Sequence, residues 1–405
     1  MPLAKVLPAL IFHFLQAAGT LAEHFAQLFD DDPLCDSSLS ERRARLPWEV
    51  FTELMRLGLR PLAQAATQAE AFWRGWRLVA LDGTQFSLTN TPQIKATVRK
   101  AKSRRARAAF AKITTGVLLE LGLHNPLAAA IGRGGQSEWA LALELLAQLP
   151  ARALLLADRL HGCAAFVAAV RAACERVGSH FLIRARTNIG VRTVKRFKDG
   201  SRLVRVPVRQ KGNPRVITQW LELREIRVRV QRPGHRAQPL RLWTSLVDPK
   251  SAPAQELIDL YARRWEHELY YRELKRQLRK SEVLQSHTLE TGAQEIAAVV
   301  LASALLARER VRAATGEVPV LRVSFIKTLE LMRPLWLTLA LGGDLLSGRQ
   351  KRQLTERFLE RAAGYVTRRR RRPRSCPRAV RQPVSGWPRL LENQSWAGPV
   401  RFKVL

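Results

Sequence analysis

Two short apolar runs in this chain each stop on an aspartate. Leu78-Val79-Ala80-Leu81 runs into Asp82 and Gly83, and Ala153-Leu154-Leu155-Leu156-Ala157 runs into Asp158. Uninterrupted apolar runs of this length read as buried strands. Taken singly, an aspartate after a strand is an ordinary turn or cap residue. Two of them at the ends of neighbouring strands can converge, because adjacent strands lie only about 4.8 Å apart.

The stretches around these runs extend the pattern. Ile113 to Leu121 and Leu127 to Ile131, joined at His124-Asn125-Pro126, read as a hairpin. Ser137 caps a helix that reaches Leu149 before Pro150, a second helix spans Ala164 to Val177, and His180 to Arg184 is a further strand. From Arg77 the order is strand, hairpin, helix, strand, helix, strand, which is the order of an α/β, ribonuclease H-like sheet. Gly132-Arg133-Gly134-Gly135 lacks the Gly-Lys-Ser/Thr of a phosphate loop and reads as a strand-to-helix turn. Between Thr187 and Pro249 the chain is β-rich and basic, with turns at Lys198-Asp199-Gly200-Ser201 and Pro233-Gly234, so a β-subdomain is inserted there. Helices resume over Ala254 to Arg279 and Thr291 to Ala314.

Ahead of the sheet, residues 1–75 read as helices. One runs from Ala9 to Leu28, one is opened by a Ser38-x-x-Glu41 capping box, and one runs from Trp48 to Leu57 behind Pro47. The basic turn Arg42-Arg43-Ala44-Arg45 suits a small DNA-binding helical unit and equally a solvated face. Behind the last long helix come a helix or two and a tail in which six of the seven residues 368–374 are arginine, followed by Pro-rich sequence of disordered character.

Charge narrows the partner. The 68 lysines and arginines against 34 acidic residues leave +34, a self-repulsion that a polyanion on the surface relieves. Nucleic acid is the expected partner, although a ribosomal or membrane-surface protein shows the same excess. The cluster Arg99, Lys100, Lys102, Arg104, Arg105 and Arg107 suits a DNA-backbone surface or a solvated loop. The four cysteines are scattered without a C-x-x-C pair, which argues against a zinc site or disulfide framework and for a reducing, cytoplasmic setting. The longest apolar run, from Ile296 to Ala307, falls short of the roughly 20 residues of a membrane span. The apolar stretch Leu7 to Leu15 is interrupted by Pro8 and His13 and does not read as a signal peptide. No spaced set of serines and histidines argues for nucleophilic hydrolysis.

A third carboxylate stands out on the helix after the insertion. At about 100° per residue, Tyr261, Arg264, Glu268 and Lys275 fall within an arc of about 60° on one face, while Glu266 lies on the other side. An acid flanked by Arg, Lys and Tyr is what a metal site beside a phosphodiester needs. A solvated stripe of ion pairs gives the same spacing.

The run Tyr261-Ala262-Arg263-Arg264-Trp265-Glu266-His267-Glu268 with Lys275 resembles the Y-x2-R-x3-E-x6-K signature of the insertion sequence 4 family of bacterial DDE transposases. Leu81-Asp82-Gly83-Thr84 and Leu156-Ala157-Asp158-Arg159 resemble the two aspartate motifs of that family, and Ser137-Glu138 and Asp36 to Ser40 are also similar to its sequences. The resemblance spans roughly residues 30 to 310. It implies a cut-and-paste transposase with two Mg²⁺ ions, for which Mn²⁺ can substitute, acting on transposon ends and target double-stranded DNA as a homodimer in a synaptic complex, without a membrane, in the bacterial cytoplasm on the nucleoid. By position it makes Asp82, Asp158 and Glu268 the catalytic metal ligands and Tyr261, Arg264 and Lys275 contacts to DNA. Trp243 lies near the place of a base-stacking tryptophan, and a core tryptophan is the other reading. Where the family carries an aromatic residue three positions after the second aspartate, this chain has His161.

The expected organisation is then a helical DNA-binding region over 1–75, the first part of a ribonuclease H-like catalytic core over 76–186, and a β-rich insertion over 187–249. The end of the core with the glutamate-bearing helix occupies 250–314, and a helical C-terminal region with the arginine-rich tail occupies 315–405. Two other functions share these features: a ribonuclease H-like nuclease without strand transfer, and a catalytically inactive DNA-binding derivative of a transposase.

Overall fold

The computed structural model of the chain describes residues 3–16, 18–29, 35–100, 108–231, 238–279, 281–314, 318–367 and 401–404. It is mixed α and β and divides into two compact units. One is built from the described parts of Met1–Leu156, Ala173–Ser179 and Arg263–Thr367, the other from those of Ala157–Ala172, His180–Ala262 and Arg368–Leu405.

In the first unit the strands stand in the order Asn125–Ile131, Lys112–Glu120, Trp76–Ser87, Ala153–Ala157, the final residue of the last falling to the second unit. Leu78 to Leu81 and Ala153 to Leu156 are wholly buried, which accounts for the absence of polar residues in both runs. Arg74 and Gly75, with φ of 49° and 81°, make a two-residue turn that folds Phe72-Trp73 back onto Trp76-Arg77. The expected hairpin at 113–131 is present, with its reversal earlier than Asn125-Pro126. Gly122 (φ 85°) and His124 (φ 55°) take left-handed conformations there, and Asn125 already belongs to the second strand.

Helices cover this sheet. Ser137 caps Glu138–Leu146 as expected, its Oγ accepting from the Ala140 amide at 3.2 Å. Leu289–Ala313 begins at a Thr288 capping box, and its Ile296, Ala297, Ala298, Val300, Ala302 and Leu306 are wholly buried. This helix is long and apolar enough to cross a membrane, yet 83% of its apolar window is buried inside the protein, as a core helix requires.

The N-terminal region departs from expectation in two places. Instead of one helix from Ala9 to Leu28 there are two, Leu3–Leu15 and Leu21–Phe29. Gly19 takes φ 103°, and Thr20 starts the second helix reciprocally with Glu23: its Oγ1 accepts from the Glu23 amide at 3.2 Å, while its own amide donates to Glu23 Oε2 at 2.8 Å. The Ser38 capping box does not form, because the helix starts earlier, as Asp36–Ala44 behind Cys35. Arg43, one of the basic residues of this helix, is buried. It donates to Ser286 Oγ at 2.7 Å, to Gln294 Oε1 at 3.2 Å and to the Thr291 carbonyl, so it ties the N-terminal helices to the Thr291 end of the core helix and does not lie on an open basic face. Beyond that helix come Phe325–Leu341 and Gly348–Gly364. The arginine-rich run 368–374 lies outside the described residues.

The second unit holds the β-rich insertion. Its strands His180–Arg184, Gln238–Thr244, Asn213–Gln231, Arg202–Gln210 and Arg192–Arg196 pair antiparallel in that order, and Arg401–Val404 also pairs with Asn213–Gln231. The turn at Asp199-Gly200 is present, with Gly200 at φ 82°, whereas Pro233-Gly234 lies outside the described residues. One acid organises the basic strands: Glu225, wholly buried, accepts from Arg202 Nε at 2.9 Å, Arg227 Nε at 2.8 Å, Trp243 Nε1 at 2.9 Å and Arg241. A buried carboxylate is tolerable only with such partners. Burial opposes its charge, but the Trp243 hydrogen bond, then the charge of Arg241 and the arginine hydrogen bonds, hold its pKa below the usual range.

Candidate active site

The helix expected over 254–279 is three pieces: Ala254–Ala262, Trp265–Glu273 and a π-helical turn Leu274–Leu278. The first break coincides with contacts to distant parts of the chain. Arg263 is drawn to the Glu70 carbonyl and pairs with Glu266 at 2.8 Å, while Glu266 also accepts from the Gly122 amide at 2.6 Å. Shorter-range bonds replace the regular ladder here, from the Glu266 amide to the Arg263 carbonyl and from the His267 amide to the Arg264 carbonyl. The single stripe of Tyr261, Arg264, Glu268 and Lys275 is therefore interrupted. Tyr261 belongs to the second unit, and the other three belong to the first.

Within the first unit, His267, Tyr270, Tyr271 and Leu274 are the buried face of the piece after the break. His267 donates through Nε2 to the Val117 carbonyl, 3.0 Å away, and burial pushes its pKa down to about 3, so the ring is neutral. Val117 is the strand partner of Asp82, so this contact sets the helix beside the aspartate. The Tyr271 hydroxyl donates to the Asp82 carbonyl oxygen at 2.8 Å. Burial first, then the charges of Asp82 and Glu138, hold that hydroxyl far above its ordinary pKa, protonated and able to donate.

The aspartate does not end its strand. Pairing with Lys112–Glu120 continues through Gly83↔Gly116 and Thr84↔Thr115 to Ser87, and what ends at Asp82 is the run of buried apolar residues. Its Oδ1 accepts from the Gly83 amide at 2.9 Å and its Oδ2 from Arg264 Nη1 at 3.2 Å. The same guanidinium donates through Nη2 to Glu268 Oε1 at 2.9 Å. Asp82 and Glu268, from a strand and a helix remote in sequence, thus meet at one cation. Glu138, in the first turn of its helix, lies over Gly83, where a Cβ would stand 2.4 Å from its Cγ and Cδ and would push that side chain aside. Lys275 donates to Thr84 Oγ1 and sits 5.1 Å from the Phe86 ring centroid. Burial, then the charges of Arg279 and Lys112, lower its pKa to about 8.

In the second unit Asp158 follows directly on the buried strand Ala153–Ala157. Its Oδ1 accepts from the Leu160 amide at 2.8 Å and from His161 Nδ1 at 3.0 Å. His161 is wholly buried against Phe166, with ring centroids 4.9 Å apart, and among the described residues its Nε2 finds no hydrogen-bond partner. Tyr261 is nearly buried, and its hydroxyl is 3.4 Å from the carbonyl of Ala157, the residue before Asp158. Trp243 is wholly buried, paired across its strand with Glu225 and bonded to it through Nε1, which places it in the core and not on a face that a base could stack on. Arg104 and Arg105 lie outside the described residues.

Sequence reasoning missed Tyr271; it noted Glu138 and His161 only by resemblance to the family and gave them no role at the site. For Tyr271 the signal was present, since it stands seven residues after Arg264 and three after Glu268, on the same helical face. Among the described residues, no three or more His, Cys, Asp or Glu side chains are grouped so as to hold a metal ion.

A family model described as a transposase DDE domain matches residues 73–305. The transposase InsG of insertion sequence element IS4 from Escherichia coli (strain K12) is 27% identical over 279 residues, which cover 66% of this chain and 62% of that relative. The chain thus spans somewhat under two thirds of the length of this relative. Among solved structures, a piggyBac transposase synaptic complex with hairpin DNA aligns with a TM-score of 0.47 and 9% identity, covering 88% of this chain and 75% of that one.

Proposed function

Because this chain belongs to the transposase DDE domain family, matched over residues 73–305, we propose that it cuts the DNA ends of an insertion element and joins the resulting 3′-hydroxyl ends to target DNA. Asp82, Asp158 and Glu268 are the metal-holding carboxylates in this reading, on a ribonuclease H-like core. The observation that carries it is the convergence of Asp82 and Glu268 on the Arg264 guanidinium. Hard carboxylate oxygens gathered about a positive charge fit a hard divalent cation such as Mg²⁺ or Mn²⁺. Asp158 adds a carboxylate whose Oδ1 is already oriented by the Leu160 amide and His161.

When bound, a pair of such ions activates the attacking water or 3′-hydroxyl and stabilises the leaving oxygen of an in-line displacement. The chain's own groups do the rest. Lys275, whose pKa burial lowers to about 8, is favoured in its charged form by a phosphate oxygen beside it and can hold one. Tyr271 and the Gly83 amide fix the backbone and carboxylate of Asp82, and Tyr261 does the same for the chain entering Asp158. The +34 charge supplies affinity for double-stranded DNA that carries no sequence information. The reading includes a homodimer that holds two element ends together and a place on the nucleoid in the cytoplasm.

The direct test mixes the purified chain with a labelled fragment carrying the inverted repeats that flank its coding region, plus a supercoiled target. Joined products are expected. Cleavage without joining would reassign the chain to the nucleases.

His161 gives a prediction particular to this chain. Neighbours that orient a metal-holding group are typically worth about 10–100-fold in metal affinity or activity. His161→Leu, which keeps the buried volume and removes the donor to Asp158, is expected to slow cleavage within that range. Unchanged cleavage would leave His161 as core filling alone.

A further inference from the structure

The contact that joins Asp82 to Glu268 is made by a side chain, Arg264, and both carboxylates use it at once. Its Nη1 reaches Asp82 Oδ2 at 3.2 Å and its Nη2 reaches Glu268 Oε1 at 2.9 Å, with the guanidinium side chain only 16% exposed and that of Asp82 14%. A planar fork with two donating edges can bridge two carboxylates, which a lysine ammonium does with far less geometric definition. Two acids held near one another without a cation would repel. Arg264 prevents that, and it does so on the atoms that a metal ion would need.

We propose that Arg264 is a displaceable counterion. It holds Asp82 and Glu268 assembled before a divalent ion arrives, and it yields its place when the ion binds. This rests on the reading of Asp82 and Glu268 as metal-holding groups. Arg264 is a positioning residue in this role, acting through the two carboxylates. Its consequence is a coupled exchange: entry of the ion turns the guanidinium away from the acids and makes it available to phosphate oxygens, so the two acids, half neutralised by the guanidinium, keep a cation beside them at each stage. It also predicts that the pair competes. The ion must displace a bidentate ion pair, and metal affinity is weaker than the same two carboxylates would give without Arg264.

The test uses the full chain without DNA and Mn²⁺ alone, with free ion followed by its electron paramagnetic resonance signal and folding by thermal melting. The site in question is the binding lost in Glu268→Gln. Arg264→Met is expected to tighten Mn²⁺ binding at that site by about tenfold, equivalent to about 1.4 kcal/mol. It should melt lower than wild type in chelator, and saturating Mn²⁺ should close the gap, because the ion then does what the guanidinium did. Arg264→Lys, which keeps the charge and loses the fork, should fall between. Arg276→Met, which removes the same charge from an exposed position, should leave the Mn²⁺ affinity unchanged. If wild type binds Mn²⁺ at this site and Arg264→Met binds it no tighter, or if the melting gap persists in saturating Mn²⁺, the counterion role is wrong while the metal site stands. If wild type shows no Mn²⁺ binding that Glu268→Gln removes, the metal site itself falls and this inference with it.

Discussion

Glu268→Gln is expected to abolish cleavage and strand transfer, lowering the rate by about three orders of magnitude or more. Metal stabilisation of transition-state charge supplies several kcal/mol, and each 1.4 kcal/mol is about tenfold in rate. Glutamine keeps the shape of the side chain and removes the charge, so the loss reports on charge alone. The comparison that gives it meaning is Glu266→Gln, two residues earlier. Glu266 accepts from the Gly122 amide at 2.6 Å and from Arg263 at 2.8 Å, and it makes no contact with Asp82 or Arg264 in the described hydrogen bonds. Its replacement is expected to weaken the fold by about 1–2 kcal/mol through one poorly satisfied bond. The folded enzyme should retain most of its cleavage. Both variants are to be assayed on a labelled end fragment, with binding measured separately. An active Glu268→Gln enzyme would overturn the assignment of the site.

The parts of this molecule that were legible in the sequence are those fixed by short-range burial and capping. Leu78 to Leu81 and Ala153 to Ala157 read as buried strands because nothing polar interrupts them, and Ser137 read as a cap because its hydroxyl satisfies an amide three residues on. The breaks were less legible because their causes lie elsewhere in the chain. The interruption at Arg263 and Arg264 depends on the Glu70 carbonyl and the Gly122 amide, nearly two hundred and over one hundred and forty residues away. An idealised continuous helix put Tyr261 on one stripe with Glu268, and no local propensity argues otherwise. The Ser38-x-x-Glu41 pattern failed for a related reason. The helix had already started at Asp36, and Asp36 Oδ1 accepts from the Ala22 amide at 3.2 Å, a contact with another helix. Thr20-x-x-Glu23 was the working box, and its signal was hidden inside an amphipathic pattern that reads on across Gly19. Trp243 was open between core and surface because one residue of register decides its face. Its pairing with Glu225, itself enclosed by three arginines, settles the face as interior.

Removing divalent metal is expected to separate binding from chemistry. In excess chelator, cleavage of the end fragment should fall below detection, while binding of the same DNA stays within a few-fold of its value in Mg²⁺. The reason for the first half is that the described neutral and basic neighbours of Asp82 and Glu268 do not activate a nucleophile or a leaving group. His267 is neutral and bonded to the Val117 carbonyl, Tyr271 is held protonated, and Arg264 and Lys275 can bind phosphate but cannot remove a proton from water while charged. The reason for the second half is that DNA affinity comes from the basic surface, which chelation does not touch. The fold should also survive, since Arg264 already pairs with the two acids and screens their repulsion. Adding back Mg²⁺ or Mn²⁺ should restore cleavage without refolding. A gel-shift and a cleavage gel run on the same samples, with and without chelator, read both halves together. Cleavage that persists at full rate in excess chelator would remove the metal from the reaction, and DNA binding lost together with cleavage would place the metal in the binding step instead.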